Sequence, residues 1–138
     1  MRLIIDTNRI ISALLTKGWT REIIMSDAFD FFTLDYVMEE LRTYTEYVLK
    51  KAHMNEKEFE LLFTLIMETI TIVPERKIKQ HLKKAIDIMN DIDRDDAPIL
   101  ACAFAIPNEG IWTEDKDFDK QTHIKIWKTK ELKRYLKN

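Results

Sequence analysis

The chain has 138 residues, 46% of them hydrophobic, which fits one folded domain with a substantial core. The formal net charge of −2 does not by itself indicate a nucleic-acid-binding protein. One cysteine, Cys102, excludes an intramolecular disulfide and a zinc cluster, and two glycines, Gly18 and Gly110, exclude a phosphate-binding glycine loop. Because the sequence shows no signal peptide and no membrane-spanning run, we expect a cytoplasmic protein with one domain over residues 1–138.

The charges are unevenly distributed along the chain. Residues 87–115 contain eight acids and one base, whereas residues 116–138 contain eight bases and three acids. This pattern predicts an acidic metal site bordered by a basic segment that binds phosphates, although solvated helix faces give similar patterns. The lysines expected to bind RNA on this basis are Lys116, Lys120, Lys125 and Lys128.

In chain order, strands are predicted to alternate with helices. The short apolar runs predict strands at 3–5, 31–33, 71–73, 110–113 and 124–127. Apolar residues at helical spacing predict helices at 10–15, 20–27, 35–48, 55–67 and 78–89, one that begins near 96, and one after 129. The predicted caps are Thr20, the capping box of Asn55 and Glu58, Asp95 or Asp96 with Pro98 in the first turn, and Thr129. This alternation indicates the α/β class, with a mostly parallel sheet of about five strands that is covered on both faces.

Two of the predicted strands lead directly into acids. Asp6 follows the first strand, and Asp115 comes two residues after Thr113, where the fourth strand closes. Sites in open parallel sheets form beyond the carboxyl ends of the strands, so these two carboxylates are candidate site residues. For either residue alone, a carboxylate that only makes hydrogen bonds in a loop is an equally good interpretation.

Glu40 is distinguished from Glu39 by helical geometry. At about 100° per residue, Glu40 lies about 60° from Val37, inside the apolar stripe, whereas Glu39 lies about 160° away and faces solvent. A carboxylate in a buried stripe is costly unless it is paired or binds a metal. Glu40 therefore needs a partner, either a lysine or arginine or a metal ion.

The densest acidic segment is Asp91 to Asp96. Helix capping accounts for one of these acids, and a solvated loop could account for the others. Asp96 continues the face of the following apolar helix that carries Leu100 and Ala103, so it is the first choice to point toward the sheet. Asp93 and Asp95 are the second choices.

Four carboxylates that converge would repel one another unless hard divalent cations lie between them. Oxygen ligands in this number suit Mg²⁺ or Mn²⁺ and not zinc, and such ions can promote hydrolysis of a phosphodiester. The three histidines have polar surroundings in the sequence, and no serine or threonine has a histidine at suggestive spacing, so an acyl-transfer triad has no support. The candidate catalytic residues are Asp6, Glu40, Asp96 and Asp115.

Four segments carry a family resemblance. They are Leu3 to Asn8, Met38 to Leu41, Asp93 to Ala103 and Trp112 to Phe118. Each motif alone is weak, but together and in this order, from residue 2 to about 137, the chain resembles PIN-domain nucleases. The chain's size makes it similar to the VapC-type toxins of prokaryotic toxin–antitoxin pairs.

The resemblance implies a three-layer α/β/α fold with an acidic pocket that holds Mg²⁺ or Mn²⁺, and endonucleolytic hydrolysis of single-stranded or structured RNA. Asp6, Glu40, Asp96 and Asp115 match the four family acids as catalytic residues and metal ligands, and Asp117 matches an additional acid. The polar residues implied beside the pocket are Asn8 and Thr113, and we add Asp93 because the third motif offers several acids. A homodimer and a cognate antitoxin are the implied partners.

Three other interpretations compete with a PIN-domain nuclease. The main alternative is a catalytically silent PIN domain that binds RNA or protein. An aspartyl-nucleophile phosphohydrolase needs a second aspartate two residues after the first, and that position holds Asn8. A receiver domain needs a phosphoacceptor aspartate near the middle of the chain, and residues 45–65 contain no aspartate.

Overall fold

The computed structural model describes residues 1–136, so the predicted domain end at residue 138 lies outside the described part of the chain. Within residues 1–136 the strands are β1 (Arg2–Ile5), β2 (Asp30–Leu34), β3 (Ile70–Val73), β4 (Ile111–Trp112) and β5 (Ile126–Trp127). They form one sheet in the order β3-β2-β1-β4-β5, and every neighbouring pair is parallel. The prediction of a parallel α/β sheet with about five strands is confirmed.

The helices follow the strands in the predicted alternation. They are α1 (Thr7–Leu15), α2 (Trp19–Ile24), α3 (Asp35–Thr43), α4 (Thr45–Lys51), α5 (Glu56–Met67), α6 (Glu75–Met89), α7 (Ala97–Ala105) and α8 (Thr129–Leu132). Short 3₁₀ helices span Arg94–Asp96, Lys116–Lys120 and Lys133–Tyr135. None of the helices in residues 1–136 is both long enough and apolar enough to cross a membrane.

The central strand β1 is buried on both faces. Leu3, Ile4 and Ile5 are all fully buried, and successive side chains of a strand point to opposite faces, so helices must cover both sides of the sheet. Helices α6 and α7 pack together, and α7 lies against β1 and β2, while α1 packs against α2, α3, α4 and α5. The result is an α/β sandwich.

One predicted helix is two helices in the structure. The apolar spacing predicted a continuous helix from 35 through 48, but α3 ends at Thr43 and α4 begins at Thr45, with Tyr44 between them. Tyr44 is 42% exposed and therefore does not continue the buried stripe of Val37 and Leu41. The prediction of one continuous helix was wrong because the backbone of Tyr44, at φ −97° and ψ 0°, departs from regular α-helical geometry.

Two predicted helix caps were also wrong, and a third is correct in position only. Gly18, and not Thr20, precedes the first residue of α2, and its carbonyl accepts the Glu22 backbone N–H at 3.1 Å. Thr129 is the first residue of α8, and its hydroxyl accepts a hydrogen bond from Trp112 Nε1 at 3.0 Å. Asp96 occupies the predicted N-cap position of α7, but its side chain makes no capping hydrogen bond. The capping box of Asn55 and Glu58 at the start of α5 is confirmed.

Candidate metal centre

An acidic cavity lies where β1 and β4 end, beside α3 and the start of α7. Its volume is about 380 Å³, and it is lined by Asp6, Thr7, Asn8, Tyr36, Glu40, Asp95, Asp96, Ile99 and Asp115. The four predicted catalytic acids, which come from four separate segments of the chain, therefore surround one cavity. Parallel strands bring their carboxyl ends to the same edge of the sheet, which places Asp6 and Asp115 there together.

Asp6 is held by two hydrogen bonds at the end of β1. It precedes α1, and its Oδ1 accepts the backbone N–H of Arg9 at 3.1 Å, while its Oδ2 accepts the hydroxyl of Thr113. Burial raises the pKa of Asp6 above its ordinary value, although the hydrogen bonds from Thr113 and Arg9 oppose that shift. Asp6 thus both caps a helix and brings a carboxylate with a raised pKa to the cavity.

Thr113 links the two strand ends. The residue is fully buried, and its Oγ donates to Asp6 and accepts the backbone N–H of Asp115 at 3.1 Å. One hydroxyl therefore fixes the chain at both of the strand-end acids. The structure places this predicted polar residue behind the acids, while the predicted Asn8 lies on the cavity wall with an exposed side chain.

Glu40 projects from α3 toward the cavity and is half-buried, whereas Glu39 is exposed. Its Oε1 accepts a hydrogen bond from the Thr7 hydroxyl at 2.9 Å. Neither of the two ion pairs found within residues 1–136 involves Glu40. The lysine or arginine partner considered from the sequence is therefore not seen in the described chain.

Asp96 carries a carboxyl group whose pKa is strongly raised. Asp93, and not Asp96, caps the 3₁₀ helix Arg94–Asp96, because its side chain accepts the Asp95 backbone N–H at 3.0 Å. Its Oδ2 is buried and has no hydrogen-bond partner among residues 1–136. Burial, followed by the negative charges of Asp115 and Asp93, raises the pKa of Asp96 to about 8.

Asp117 belongs to a second group of acids, Asp93, Asp96 and Asp117. Asp96 is also one of the four acids that line the cavity. One carboxylate oxygen from each of Asp93, Asp96 and Asp117 lies within 4.8 Å of the others, which is close enough for a metal ion to be held between them. Asp117 also accepts an ion-pair hydrogen bond from Lys120 at 3.2 Å. Asp115 accepts the Asp117 backbone N–H at 2.9 Å, so the two acids are coupled through the backbone.

The comparison with protein families agrees with this geometry. The family model described as PIN domain matches residues 4–137, which is nearly the whole chain. The chain belongs to the PIN domain family. No match was found among the curated proteins or among the solved structures. PIN domains are typically metal-dependent nucleases, and the PIN fold of this chain carries an acidic cluster that could hold a metal ion.

The sequence did not predict two of the polar residues that line this PIN-domain cavity. Thr7 supports Glu40 from the first turn of α1, and Tyr36 lines the cavity one helical turn before Glu40. Burial, followed by the charges of Glu40 and Asp96, raises the pKa of the Tyr36 hydroxyl. The spacing of Tyr36 and Glu40, at i and i+4, was the available signal that both lie on one helix face.

Two of the four predicted RNA-binding lysines form ion pairs with acids. Lys120 pairs with Asp117 at 3.2 Å, and Lys128 pairs with Asp119 at 3.1 Å. Two of the four charges are therefore partly balanced by neighbouring acids.

The other two lysines differ in position. The Lys125 ammonium lies 3.8 Å from the centre of the Trp127 ring, and Lys125 precedes β5, at the edge of the sheet away from the cavity. Lys116 is exposed and directly follows Asp115. Lys116 is thus the nearest of the four in sequence to the acidic cavity.

Proposed function

We propose that this PIN domain is a divalent-metal-dependent endoribonuclease that hydrolyses RNA phosphodiester bonds. The observation that carries the proposal is that Asp6, Glu40, Asp96 and Asp115 line one cavity while none of them forms an ion pair with lysine or arginine within residues 1–136. Such a set of carboxylates is unfavourable alone and suited to a hard cation.

The residues present fit Mg²⁺ or Mn²⁺. All the donors are carboxylate oxygens, and the buried, unpartnered Oδ2 of Asp96 is the atom that most needs a cation. Asp6, Glu40, Asp96 and Asp115 would hold the ion, and Asp117 would act through water or at a second, weaker ion beside Asp93. When bound, the ion would activate a water and stabilise charge on the phosphodiester.

The surrounding residues would orient the acids and the substrate. Thr113 fixes Asp6 and the backbone of Asp115, and Thr7 fixes Glu40. These hydrogen bonds would hold the metal-binding carboxylates in place before the ion and the substrate bind. Fewer side chains would then have to become ordered when the ion binds. Asn8, exposed on the cavity wall, would donate its amide to a phosphate oxygen.

We also propose that the chain is the toxin of a toxin–antitoxin pair and forms a homodimer in the cytoplasm. Exposed Tyr44 and Tyr47 contact each other near the start of α4, and Leu61 and Leu65 are exposed one turn apart on α5. Apolar side chains of this size on a surface favour burial against a protein partner. Light scattering on the purified protein should give a mass twice that of the chain, and a small open reading frame for a DNA-binding protein should lie directly upstream of its gene.

Metal dependence of RNA cleavage tests the enzymatic function. A single-stranded RNA should be cut internally in Mn²⁺ or Mg²⁺, remain intact in EDTA or with Zn²⁺ alone, and be cut again when Mn²⁺ is restored. Asp6→Asn should lose at least about a hundredfold in rate, because one ligand of the cation is removed. Asp30→Asn is the matched control. Asp30 is exposed and is the first residue of β2, at the end of the sheet opposite the cavity.

Cleavage that persists in EDTA would contradict the metal-dependent mechanism. Binding of RNA without any cleavage in Mn²⁺ or Mg²⁺ would instead support the alternative of a catalytically silent, RNA-binding PIN domain.

A further inference from the structure

A second cavity lies directly beside the metal centre. Its volume is about 330 Å³, and Tyr36 lines both cavities, so the Tyr36 side chain forms a wall between them. Leu34, the last residue of β2, and Glu75, two residues after β3, also line the second cavity. In the strand order β3-β2-β1-β4-β5 the two cavities are therefore neighbours along the carboxyl edge of the sheet.

The body of the second cavity is apolar. Ile78 and Leu82 from α6 and Pro98 from α7 line it together with Leu34. With Tyr36, these side chains offer a surface for a flat, largely apolar ring. Nucleobases of single-stranded RNA are recognised in this way, because they stack on aromatic side chains once they leave the strand.

The rim of the second cavity is mainly acidic. Asp35, Glu39 and Glu75 line it with one base, Lys79, and none of the side-chain hydrogen bonds or ion pairs found within residues 1–136 uses the carboxylates of Glu39 or Glu75. Ionised carboxylates only accept hydrogen bonds, and they repel phosphates. The rim therefore favours a neutral group that carries N–H donors over a phosphate.

Among the nucleobases, the pattern of donors on the pairing edge differs. Guanine presents two adjacent donors, N1–H and the N2 amino group, which match the two oxygens of one carboxylate. Adenine and cytosine each present one amino group. Uracil presents a single N3–H between two carbonyl oxygens, which an acidic rim would repel.

We propose that this second cavity is the subsite for a nucleobase adjacent to the scissile phosphate, and that it selects guanine and disfavours uracil. The inference rests on the proposed function, because it takes the first cavity as the place where the phosphodiester is cut. The phosphate lies at the metal centre, the neighbouring base passes Tyr36, and Glu39 or Glu75 accepts its N–H groups.

Cleavage of a random-sequence single-stranded RNA in Mn²⁺, with the ends of the products sequenced, tests the selectivity. Guanine should be favoured over uracil by about tenfold at one fixed position beside the cut, as expected for one bidentate hydrogen-bonded pair. The double variant Glu39→Gln and Glu75→Gln should reduce this ratio to about twofold or less. The matched control, Glu46→Gln and Glu68→Gln, removes the same charge from exposed acids that line neither cavity and should keep the ratio.

A binding measurement in EDTA separates the subsite from the cleavage reaction. Guanosine 5′-monophosphate should shift the methyl NMR signals of Ile78 and Leu82 at about tenfold lower concentration than uridine 5′-monophosphate. Leu82→Phe, which fills the apolar wall, should weaken binding of guanosine 5′-monophosphate and lower the cleavage ratio, and its methyl spectrum reports whether it folds. Selective binding without cleavage of RNA would overturn the proposed function and leave the subsite supported. Cleavage without base preference, or equal shifts by the two nucleotides, would overturn the subsite alone.

Discussion

Asp115 and Asp117 are held by the chain in different ways. Asp115 lies on the wall of the main cavity, and its backbone N–H is fixed by the buried hydroxyl of Thr113. Asp117 is paired with Lys120 and grouped with Asp93 and Asp96 at the border of the site. We therefore propose that Asp115 contacts the main ion directly and that Asp117 makes a weaker or water-mediated contact.

The two acids should respond differently to the concentration of metal. We expect Asp115→Asn to lose nearly all cleavage at every Mn²⁺ concentration, because a direct ligand is gone. Asp117→Asn should be slow at low Mn²⁺ and recover at least about a third of the wild-type rate at high Mn²⁺, because mass action refills a weakened site. Cleavage rates measured in a Mn²⁺ titration give both results.

Asp119→Asn is the control for this comparison, because Asp119 is an exposed acid of the same 3₁₀ helix and pairs with Lys128. Its titration curve should follow that of the wild type. The reverse order, with Asp115→Asn rescued and Asp117→Asn inactive, would show that Asp117 is the direct ligand.

Single residues of the cavity differ in how well the sequence predicts them. Asp6 and Asp115 were selected because they follow strands, and Glu40 because of its angle on the helix, and the structure brings all three to one cavity. Thr7 was missed, since a hydroxyl that supports a carboxylate from another helix leaves no periodic signal. Such a contact depends on how α1 and α3 pack, which local spacing does not determine. Tyr36 was also missed, although its i, i+4 spacing with Glu40 on α3 was a usable signal.

At the scale of the elements, all five strands were predicted because each is a short apolar run, and the structure moves their bounds by one or two residues. The breaks between elements were harder to predict. Tyr44 has the spacing of a buried residue but is exposed. Asp96 lies at the N-cap position of α7, but its side chain makes no capping hydrogen bond. Apolar spacing indicates which face a helix buries. It does not indicate where the helix ends or which hydrogen bonds a polar side chain makes.

The four lysines that were assigned to RNA lie at the two ends of the 3₁₀ helix Lys116–Lys120 and directly before and after β5. Replacing Lys116, Lys120, Lys125 and Lys128 together with alanine should weaken RNA binding and flatten its dependence on salt, because fewer counterions are released. Lys116→Ala alone should account for a larger share than Lys125→Ala, because Lys125 contacts Trp127 and precedes β5. Affinity measured in EDTA at several salt concentrations tests this.

Mn²⁺ affinity is the control for the lysine variants and should change less than about threefold, since the lysines supply no metal ligand. An unchanged salt dependence in the quadruple variant would show that RNA follows another surface. The lysines would then only balance the charges of their neighbours Asp117 and Asp119.

At the scale of the whole molecule, the acidic cavity opposes folding when no metal is bound. The pKa of Asp96 is raised to about 8 and that of Asp6 is raised as well, so the folded chain binds protons that the unfolded chain has released. For carboxyl groups with a raised pKa, the contribution to stability is full below the ordinary value of 3.8 and is lost as the pH rises toward the folded value. Metal-free protein should therefore lose this contribution between about pH 4 and pH 8, and a bound cation should reverse the loss.

This coupling predicts how Asp96→Asn changes the free energy of unfolding. In EDTA, the variant should be at least as stable as the wild type at pH 8, and its stability should fall less between pH 5 and pH 8, because an amide does not ionise. In Mn²⁺ at about a hundred times its Kd, the wild type should gain about 2.7 kcal/mol at pH 8 and the variant much less. Urea unfolding followed by tryptophan fluorescence measures these differences. If Asp96→Asn is clearly less stable than the wild type at pH 8 without metal, Asp96 is instead a structural residue. The Asp96 carboxylate would then stabilise the fold without a bound metal.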